Sequence, residues 1–178
     1  MCAMVSAVVL AAGAASRFGS PKQRLLLAPV LERVRRTRSI DEIVVVVGAH
    51  EVDTDARVVR CPEWERGPGA SLRCGLAGLS PSAAAAVVVL ADGPILAPES
   101  IDRIVAAWRE GAGDIVAASY GGQRGHPLVL DRRLWTRIPD EGARALEPVL
   151  VPCDDLGAPG DIDVPEDLPG RVRGTGAE

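Results

Sequence analysis

Aromatic residues are scarce in this chain. The 178 residues include three tryptophans, one tyrosine and one phenylalanine, or 3% aromatics, although 47% of the residues are hydrophobic. We therefore expect a core built mainly from valine, leucine, isoleucine and alanine. A charged fraction of 25% is ordinary for a globular protein and argues against a disordered chain. The length suits one hydrophobic core, so we predict a single domain over residues 1–169 and a flexible polar tail over 170–178.

Cysteine pairs and long apolar runs are missing too. The four cysteines are scattered at Cys2, Cys61, Cys74 and Cys153 with no C-x-x-C pair, which argues against a zinc site and a disulfide framework. We predict small, reduced, partly buried thiols in a cytoplasmic protein. No segment is long and apolar enough to cross a membrane, and the N-terminal apolar run lacks the positive residues that begin a signal peptide.

The chain has no excess of positive charge and no common phosphate motif. Its net charge of -4 gives no general attraction to nucleic acid, so an anion must be bound by a local arrangement of groups. The arginines between Arg33 and Arg38 could form a nucleic-acid patch, but we favour the solvated face of a helix. A P-loop is excluded because Gly13 and Gly19 are one residue too far apart, and G-x-G-x-x-G is absent.

One stretch near the N-terminus is suited to binding a phosphate. Val8–Leu10 is a short apolar run typical of the end of a buried strand, and a loop of small residues containing Gly13 follows. Such a loop leaves backbone N–H groups available to phosphate oxygens. Arg17 and Lys22 come next, and Lys22 is the only lysine of the chain, which favours a compact ammonium on a phosphate. The alternative is a surface turn with two solvated cations.

Apolar runs and helical patterns alternate through the first two thirds of the chain. This alternation predicts βαβ units and an α/β fold with a mostly parallel sheet. The predicted strands are 43–47, 58–59, 86–91, 114–119, 126–130 and 149–151, in addition to the one ending at Leu10. The predicted helices are 30–38 with Pro29 in the first turn, one opening at Ser71, 98–110, a short one at 134–135 and another at 143–146, with a turn at 121–125.

Two further residues are candidates for a site. Asp92 follows an apolar strand directly, and ligands of parallel α/β sheets bind beyond the carboxyl ends of the strands, where a carboxylate can hold a divalent metal on phosphates. Asp92 is equally compatible with a turn, since Asp-Gly-Pro is good turn chemistry. Ser71 follows a glycine-rich loop and can contact a polar ligand, although an N-cap role alone is the interpretation favoured locally.

Five stretches in this order resemble the molybdenum cofactor cytidylyltransferase family, within the wider group of MobA/MocA-like nucleotidyltransferases. They are LAAGAASRFGSPK at 10–22, W-x-x-G-x-G-A-S-L-x-x-G-L at 64–76, VVLADGP at 88–94, R-G-H-P at 124–127 and DIDVPEDL at 161–168. The resemblance implies a three-layer Rossmann-like fold. It also implies transfer of CMP from CTP to the terminal phosphate of molybdenum cofactor, with release of pyrophosphate.

The resemblance also implies roles for individual residues. The nucleotide-binding set is Leu10, Ala11, Ala12, Gly13, Arg17, Lys22, Ser71 and Asp92, of which Arg17, Lys22 and Asp92 are the catalytic residues. Asp92 and Asp163 would share a Mg²⁺ ion. The acceptor, a phosphorylated pterin cofactor, would be bound by Arg124, Gly125, His126 and Pro127. Ala12 favours CTP over GTP, because guanylyl-transferring relatives have glycine there. A molybdenum hydroxylase or its maturation factor is a candidate partner.

Two departures from the family pattern keep alternatives open. A short glycine-containing hairpin is absent, since Leu27 runs almost directly into Pro29, and Gly93 replaces the glutamine common after the metal-binding aspartate. The alternatives are the same chemistry with GTP or another phosphorylated acceptor, and a non-catalytic cofactor-binding partner in the maturation of a hydroxylase.

Overall fold

One seven-stranded sheet organises the described part of the chain. The computed structural model describes residues 3–13 and 22–160, apart from the side chains of 22–24. The strands are β1 (Met4–Ala11), β2 (Glu42–Val47), β3 (Arg57–Arg60), β4 (Ala83–Leu90), β5 (Ile115–Tyr120), β6 (Gln123–Asp131) and β7 (Val149–Pro152). Their order in the sheet is β3-β2-β1-β4-β6-β5-β7, and β6 alone runs antiparallel to its neighbours. The predicted α/β fold with a mostly parallel sheet is confirmed.

Helices cover both faces of this sheet. They are α1 (Lys22–Arg35), α2 (Pro68–Ala77) and α3 (Pro98–Arg109), with 3₁₀ turns at 64–66, 132–137, 142–145 and 154–156. Alternate residues of β1 point to opposite faces. Val5 and Val9 join a core cluster with residues of α1 and α3, whereas Val8 joins a second cluster with Leu72 and Leu76 of α2. The result is the three-layer arrangement expected from the sequence.

The first helix is longer than predicted. Instead of beginning after Pro29, α1 begins at Lys22 and contains Pro29, and it ends at Arg35. Its buried face consists of Leu26, Leu27, Val30, Leu31 and Val34. These residues recur at helical spacing. Their burial stabilises α1 by more than the loss of the backbone hydrogen bond that a proline removes from a helix interior. Of the predicted solvated face, Arg35 is exposed on α1 and Arg33 is half-buried, whereas Arg36 and Arg38 are exposed but follow the end of the helix.

The predicted turn at 121–125 is only two residues long. Gly121 and Gly122 connect β5 to β6 with φ angles of +59° and +74°, and β6 already begins at Gln123. Two consecutive positive φ angles form the tight turn that suits an antiparallel hairpin, and glycine adopts them without steric cost. Arg124, Gly125 and His126 therefore lie on a strand and not in a loop.

The prediction that all cysteines are reduced is wrong for one pair. Cys61, which follows β3, is joined by a disulfide to Cys74 on α2, whereas Cys153 is free and buried. The spacing of 13 residues matches no common motif, so only the packing of α2 against the end of β3 brings the two residues together. The link closes the segment that contains Trp64 and Ser71.

Reduction of the Cys61–Cys74 link is expected to lower the free energy of unfolding by about 3 kcal/mol, because cross-linking a loop of this length restricts the unfolded chain. Chemical denaturation with and without a phosphine reductant measures the difference. The double variant Cys61→Ser/Cys74→Ser is the control and should not respond to the reductant. Four titratable thiols in the unreduced, denatured protein would contradict the disulfide.

The helices of the described residues are each too short or too polar to span a lipid bilayer. Residues 161–178 lie outside the described part, so the single domain and the flexible tail remain predictions.

Candidate functional site

The loops after β1 and β4 leave the sheet side by side. These strands are parallel neighbours, with Leu10 paired to Leu90 and the Ala91 amide donating to the Leu10 carbonyl at 3.1 Å. Ala12 and Gly13 therefore emerge at the same sheet edge as Asp92, beyond the carboxyl ends of the strands. The Ala49 amide donates to the Ala12 carbonyl at 3.4 Å and ties the first loop to the end of β2.

A cavity of about 320 Å³ lies on the β1 side of this edge. Its lining is mostly apolar: Leu10, Ala12, Gly13, Trp64, Gly67, Pro68, Ser71 and Leu90. Trp64 is held against the end of β2, since a Cβ on Gly48 would lie 2.5 Å from Trp64 Cγ. The close approach places the indole as a rigid wall. A flat, mostly apolar pocket of this kind suits an aromatic base better than a phosphate.

Ser71 lines this cavity but does not cap the helix. The N-cap of α2 is Gly67, with φ at +122°, and Ser71 lies inside the first turn of the helix. The Gly69 amide at this end donates to the Asp140 carbonyl at 3.0 Å. The predicted N-cap role is therefore wrong, because the backbone of Gly67 makes the turn into the helix and Pro68 begins it.

A second cavity of about 350 Å³ lies on the other side of the end of β4. It is lined by Val89, Leu90, Gly93, Leu96, Tyr120, Gln123, Arg124, Gly125, His126, Pro127, Ala158, Pro159 and Gly160. The four residues of the R-G-H-P motif are therefore brought together in one cavity. Leu90, the last residue of β4 and two residues before Asp92, lines both cavities.

Arg124 uses its guanidinium on backbone carbonyls. Nη2 donates to the Ala143 carbonyl at 2.6 Å, and Nη1 donates to those of Leu146 and, at 3.4 Å, Arg144. Burial lowers the pKa of Arg124 from its usual value. These bonds hold the segment around the 3₁₀ turn at 142–145 against β6, so much of the donor capacity of Arg124 is used inside the protein.

His126 is a neutral group of the second cavity. Burial and the nearby Arg124 guanidinium lower its pKa to about 4, and the charge of Asp92 acts in the opposite direction. The imidazole is therefore uncharged near neutral pH and available for hydrogen bonding. The Tyr120 hydroxyl donates to the His126 carbonyl at 3.0 Å, and the peptide bond from His126 to Pro127 is cis.

Folding stability should depend on His126 at mildly acidic pH. The pKa of His126 falls from 6.5 to about 4 in the folded protein. The neutral imidazole therefore makes its full contribution to the free energy of unfolding above pH 6.5, and this contribution is lost as the pH falls toward 4. Between pH 7 and pH 4.5, the free energy of unfolding of His126→Gln is expected to fall by roughly 2 kcal/mol less than that of the wild type. Urea unfolding at both pH values measures this, with His50→Gln as the matched control. Identical pH dependence in wild type and His126→Gln would contradict the prediction.

Three of the predicted site residues cannot be placed. Arg17, Asp163 and the side chain of Lys22 lie outside the described residues, although the backbone of Lys22 begins α1. Within residues 3–13 and 22–160, no three histidine, cysteine or acidic side chains are grouped as a metal site. Asp92 is half-buried in the turn after β4, where its charge acts on His126 of the second cavity, and it is the one predicted metal ligand whose position is described.

Sequence reasoning missed several residues that line the cavities. Trp64 begins the W-x-x-G-x-G stretch, so its position in that motif was an available signal. Tyr120 is the only tyrosine of the chain, yet nothing in its neighbourhood indicated a cavity. Pro159 lies 66 residues after Gly93 in sequence, and only the folded chain brings the two into contact.

The chain is similar to a known protein family and to solved structures. The model of the MobA-like NTP transferase domain family matches residues 7–150. The crystal structure of Rv0371c from Mycobacterium tuberculosis H37Rv is 30% identical, covers 92% of this chain and 95% of its own, and superposes with a TM-score of 0.74. A structure of Rv0371c in complex with manganese is similar, with 28% identity, the same coverage and a TM-score of 0.68.

A curated relative is matched over part of its length. The bifunctional protein GlmU of Cutibacterium acnes (strain DSM 16379 / KPA171202) is 31% identical in an alignment of 122 residues, and the match covers 60% of this chain and 29% of GlmU. The chain thus spans less than a third of that protein. The family model covers most of the chain, including both strands whose ends form the candidate site. The chain therefore belongs to the MobA-like NTP transferase domain family.

Proposed function

We propose that this protein is a nucleotidyltransferase that transfers CMP from CTP to the terminal phosphate of molybdenum cofactor and releases pyrophosphate. The observation that carries the proposal is the pair of cavities that share Leu90 as a lining residue at the end of β4, two residues before Asp92. Transfer between two substrates requires two binding spaces that converge on one reacting atom, so that both are held in reacting geometry. The first cavity would hold the nucleotide and the second the acceptor.

The nucleotide side is argued from the first cavity. Its apolar walls and the rigid Trp64 suit a base, and the buried Ala12 lies where a small pyrimidine would be favoured. The phosphates would extend toward Arg17 and Lys22. Because α1 begins at Lys22, the positive end of its dipole favours a phosphate near the backbone of that residue.

Asp92 fits a magnesium ligand by its chemistry and place. Mg²⁺ is commonly held by one or two carboxylates together with substrate phosphates, and Asp92 offers one carboxylate in the turn after β4, beside the strand end that both cavities share. Asp163 is the proposed second ligand, by the family resemblance. When bound, the ion would neutralise charge on the α-phosphate and the leaving pyrophosphate.

The acceptor side is argued from the second cavity. An oxygen of the acceptor phosphate would bond to the α-phosphorus of CTP, and the bond from that phosphorus to the bridging oxygen would break to release pyrophosphate. The attacking oxygen is already ionised, so no general base is needed and positioning with charge stabilisation suffices. The neutral His126 can orient an acceptor through a hydrogen bond without adding charge to the cavity.

The direct test measures pyrophosphate release by purified protein with CTP, Mg²⁺ and molybdenum cofactor. With CTP and GTP in competition, the cytidylylated product should dominate. Dominance of GTP would favour guanylyl transfer, and turnover only with another phosphorylated compound would change the acceptor. The absence of turnover with any nucleotide would contradict the proposal and favour a non-catalytic cofactor-binding role. A cytoplasmic location and delivery of the product to a molybdenum hydroxylase or its maturation factor follow from the proposal.

A further inference from the structure

A short segment of the chain forms one wall of the second cavity. We call residues Ala158–Gly160 the strap. The Ile95 amide donates to the Pro159 carbonyl at 3.2 Å, and a Cβ on Gly160 would lie 3.3 Å from two side-chain carbons of Ile95. One hydrogen bond and close packing thus dock the strap on the loop that follows Asp92. All three strap residues line the cavity, as do Tyr120 and the R-G-H-P residues.

Gly93 is the residue on which the strap closes. A Cβ at this position would lie 2.9 Å from Pro159 Cβ and 3.3 Å from the Gly160 carbonyl oxygen. A carbon–carbon separation below 3.0 Å is well inside the optimal contact distance, so the neighbours would have to move. Neither neighbour is the end of a flexible side chain: one is a carbon of the proline ring and the other is backbone.

Glycine is required at position 93 for a steric reason and not for its backbone conformation. Gly93 is not among the residues with positive φ, whereas Gly160 in the strap has φ of +73°. An alanine at 93 could therefore keep the same backbone conformation and would differ only by the methyl group that meets the strap. Such a substitution isolates the contact between Gly93 and Pro159 from any effect of backbone strain.

We propose that Gly93 determines acceptor specificity by setting the width of the second cavity. Because Gly93 has no side chain, Pro159 can approach the end of β4. The strap therefore lies close to β4, and the volume of the cavity stays near 350 Å³. The acceptor this admits is a phosphorylated compound with a compact body. Apolar walls from Leu96, Pro127 and Pro159 favour such a body. The acceptor role in this inference rests on the proposed function.

The position of the strap can be tested without any acceptor. Amide hydrogen exchange at Ile95 reports its bond to the Pro159 carbonyl. In Gly93→Ala, exchange of this amide should become about tenfold faster, a change of about 1.4 kcal/mol in local opening. The second variant, Gly93→Ala/Pro159→Gly, removes the Cβ that the new methyl would meet, and exchange should return toward the wild-type rate. Unchanged exchange in Gly93→Ala would overturn the contact.

A matched control separates the strap from general crowding. In Gly113→Ala the new Cβ would lie 3.0 Å from Val149 Cγ2, a similar closeness at the start of β5 and away from the cavity. This variant should leave Ile95 exchange unchanged. Pro159→Gly alone adds no atoms, so its Ile95 exchange is the reference for the double variant, and it provides a folded variant even where Gly93→Ala is poorly soluble.

The specificity claim is tested by kinetics with molybdenum cofactor as the acceptor. Gly93→Ala should raise the acceptor KM about tenfold while the Kd for CTP stays within about twofold, and the double variant should recover. Faster Ile95 exchange with an unchanged acceptor KM would overturn the specificity role. If the wild type transfers to no acceptor, the proposed function fails and the acceptor role fails with it, whereas the exchange result still decides whether Gly93 positions the strap.

Discussion

Replacement of Asp92 by asparagine is expected to reduce nucleotidyl transfer by about 1000-fold or more. The side chain keeps its size and its place in the turn after β4 but loses the charge that we assign to Mg²⁺ binding. Without that ligand, the negative charge that develops on the α-phosphate and pyrophosphate lacks its main compensation. Pyrophosphate release over a range of Mg²⁺ concentrations measures the effect.

The matched control for Asp92→Asn is Asp53→Asn, which removes one negative charge at an exposed position away from both cavities. Asp53→Asn should retain wild-type activity. Asp92→Asn should keep the fold, since the residue lies in a turn after β4, and circular dichroism checks this. Retention of a tenth or more of the wild-type rate in Asp92→Asn would show that its charge is not at the reacting centre.

Replacement of Gly69 by alanine is expected to lower the free energy of unfolding by about 3 kcal/mol. A Cβ at Gly69 would lie 1.9 Å from the Pro139 carbonyl oxygen and 2.7 Å from that of Asp140, so the segment at 139–142 must move away from α2. The bond from the Gly69 amide to the Asp140 carbonyl would be strained or lost at the same time. Because Pro68 and Ser71 line the first cavity, CTP binding should weaken too.

Helix propensity alone predicts the opposite sign for the change in the free energy of unfolding of Gly69→Ala. In an unhindered helix, glycine to alanine stabilises by about 1 kcal/mol, the opposite of the change expected here. The control Ala77→Gly changes an exposed residue at the other end of α2 and should cost about 1 kcal/mol through propensity alone. Urea unfolding of both variants measures the balance. A Gly69→Ala protein as stable as the wild type would show that the 139–142 segment is free to shift.

Local sequence pattern was sufficient for most of the parallel sheet. The runs at Val44–Val47 and Val87–Leu90 are almost wholly apolar because strands covered on both faces bury every side chain. A carboxylate directly after such a run could be assigned to the ligand-binding edge by the general rule for parallel sheets. The placement of Asp92 beside the loop after β1 was predictable for that reason.

Other elements depended on contacts that the local pattern does not contain. Pro29 indicated a helix start, but the buried face of α1 extends across it and stabilises a longer helix. The glycine-rich stretch after Tyr120 suggested a long turn, whereas its first two glycines make the whole turn and the next residues pair with β5. In each case burial or strand pairing with distant residues outweighed the local signal.

The amino-acid sequence alone determined the alternation of strands and helices, and the small residues and charges at the strand ends, because these depend on periodicity and residue type within a few positions. Only the tertiary structure decided the order of strands in the sheet, the bond between Cys61 and Cys74, the carbonyl partners of Arg124 and the approach of Pro159 to Gly93. The disulfide, the Arg124 bonds and the approach of Pro159 to Gly93 join residues 13 to 66 positions apart, and Leu10 of β1 pairs with Leu90, 80 positions away. Their geometry exists only after the helices and strands have packed.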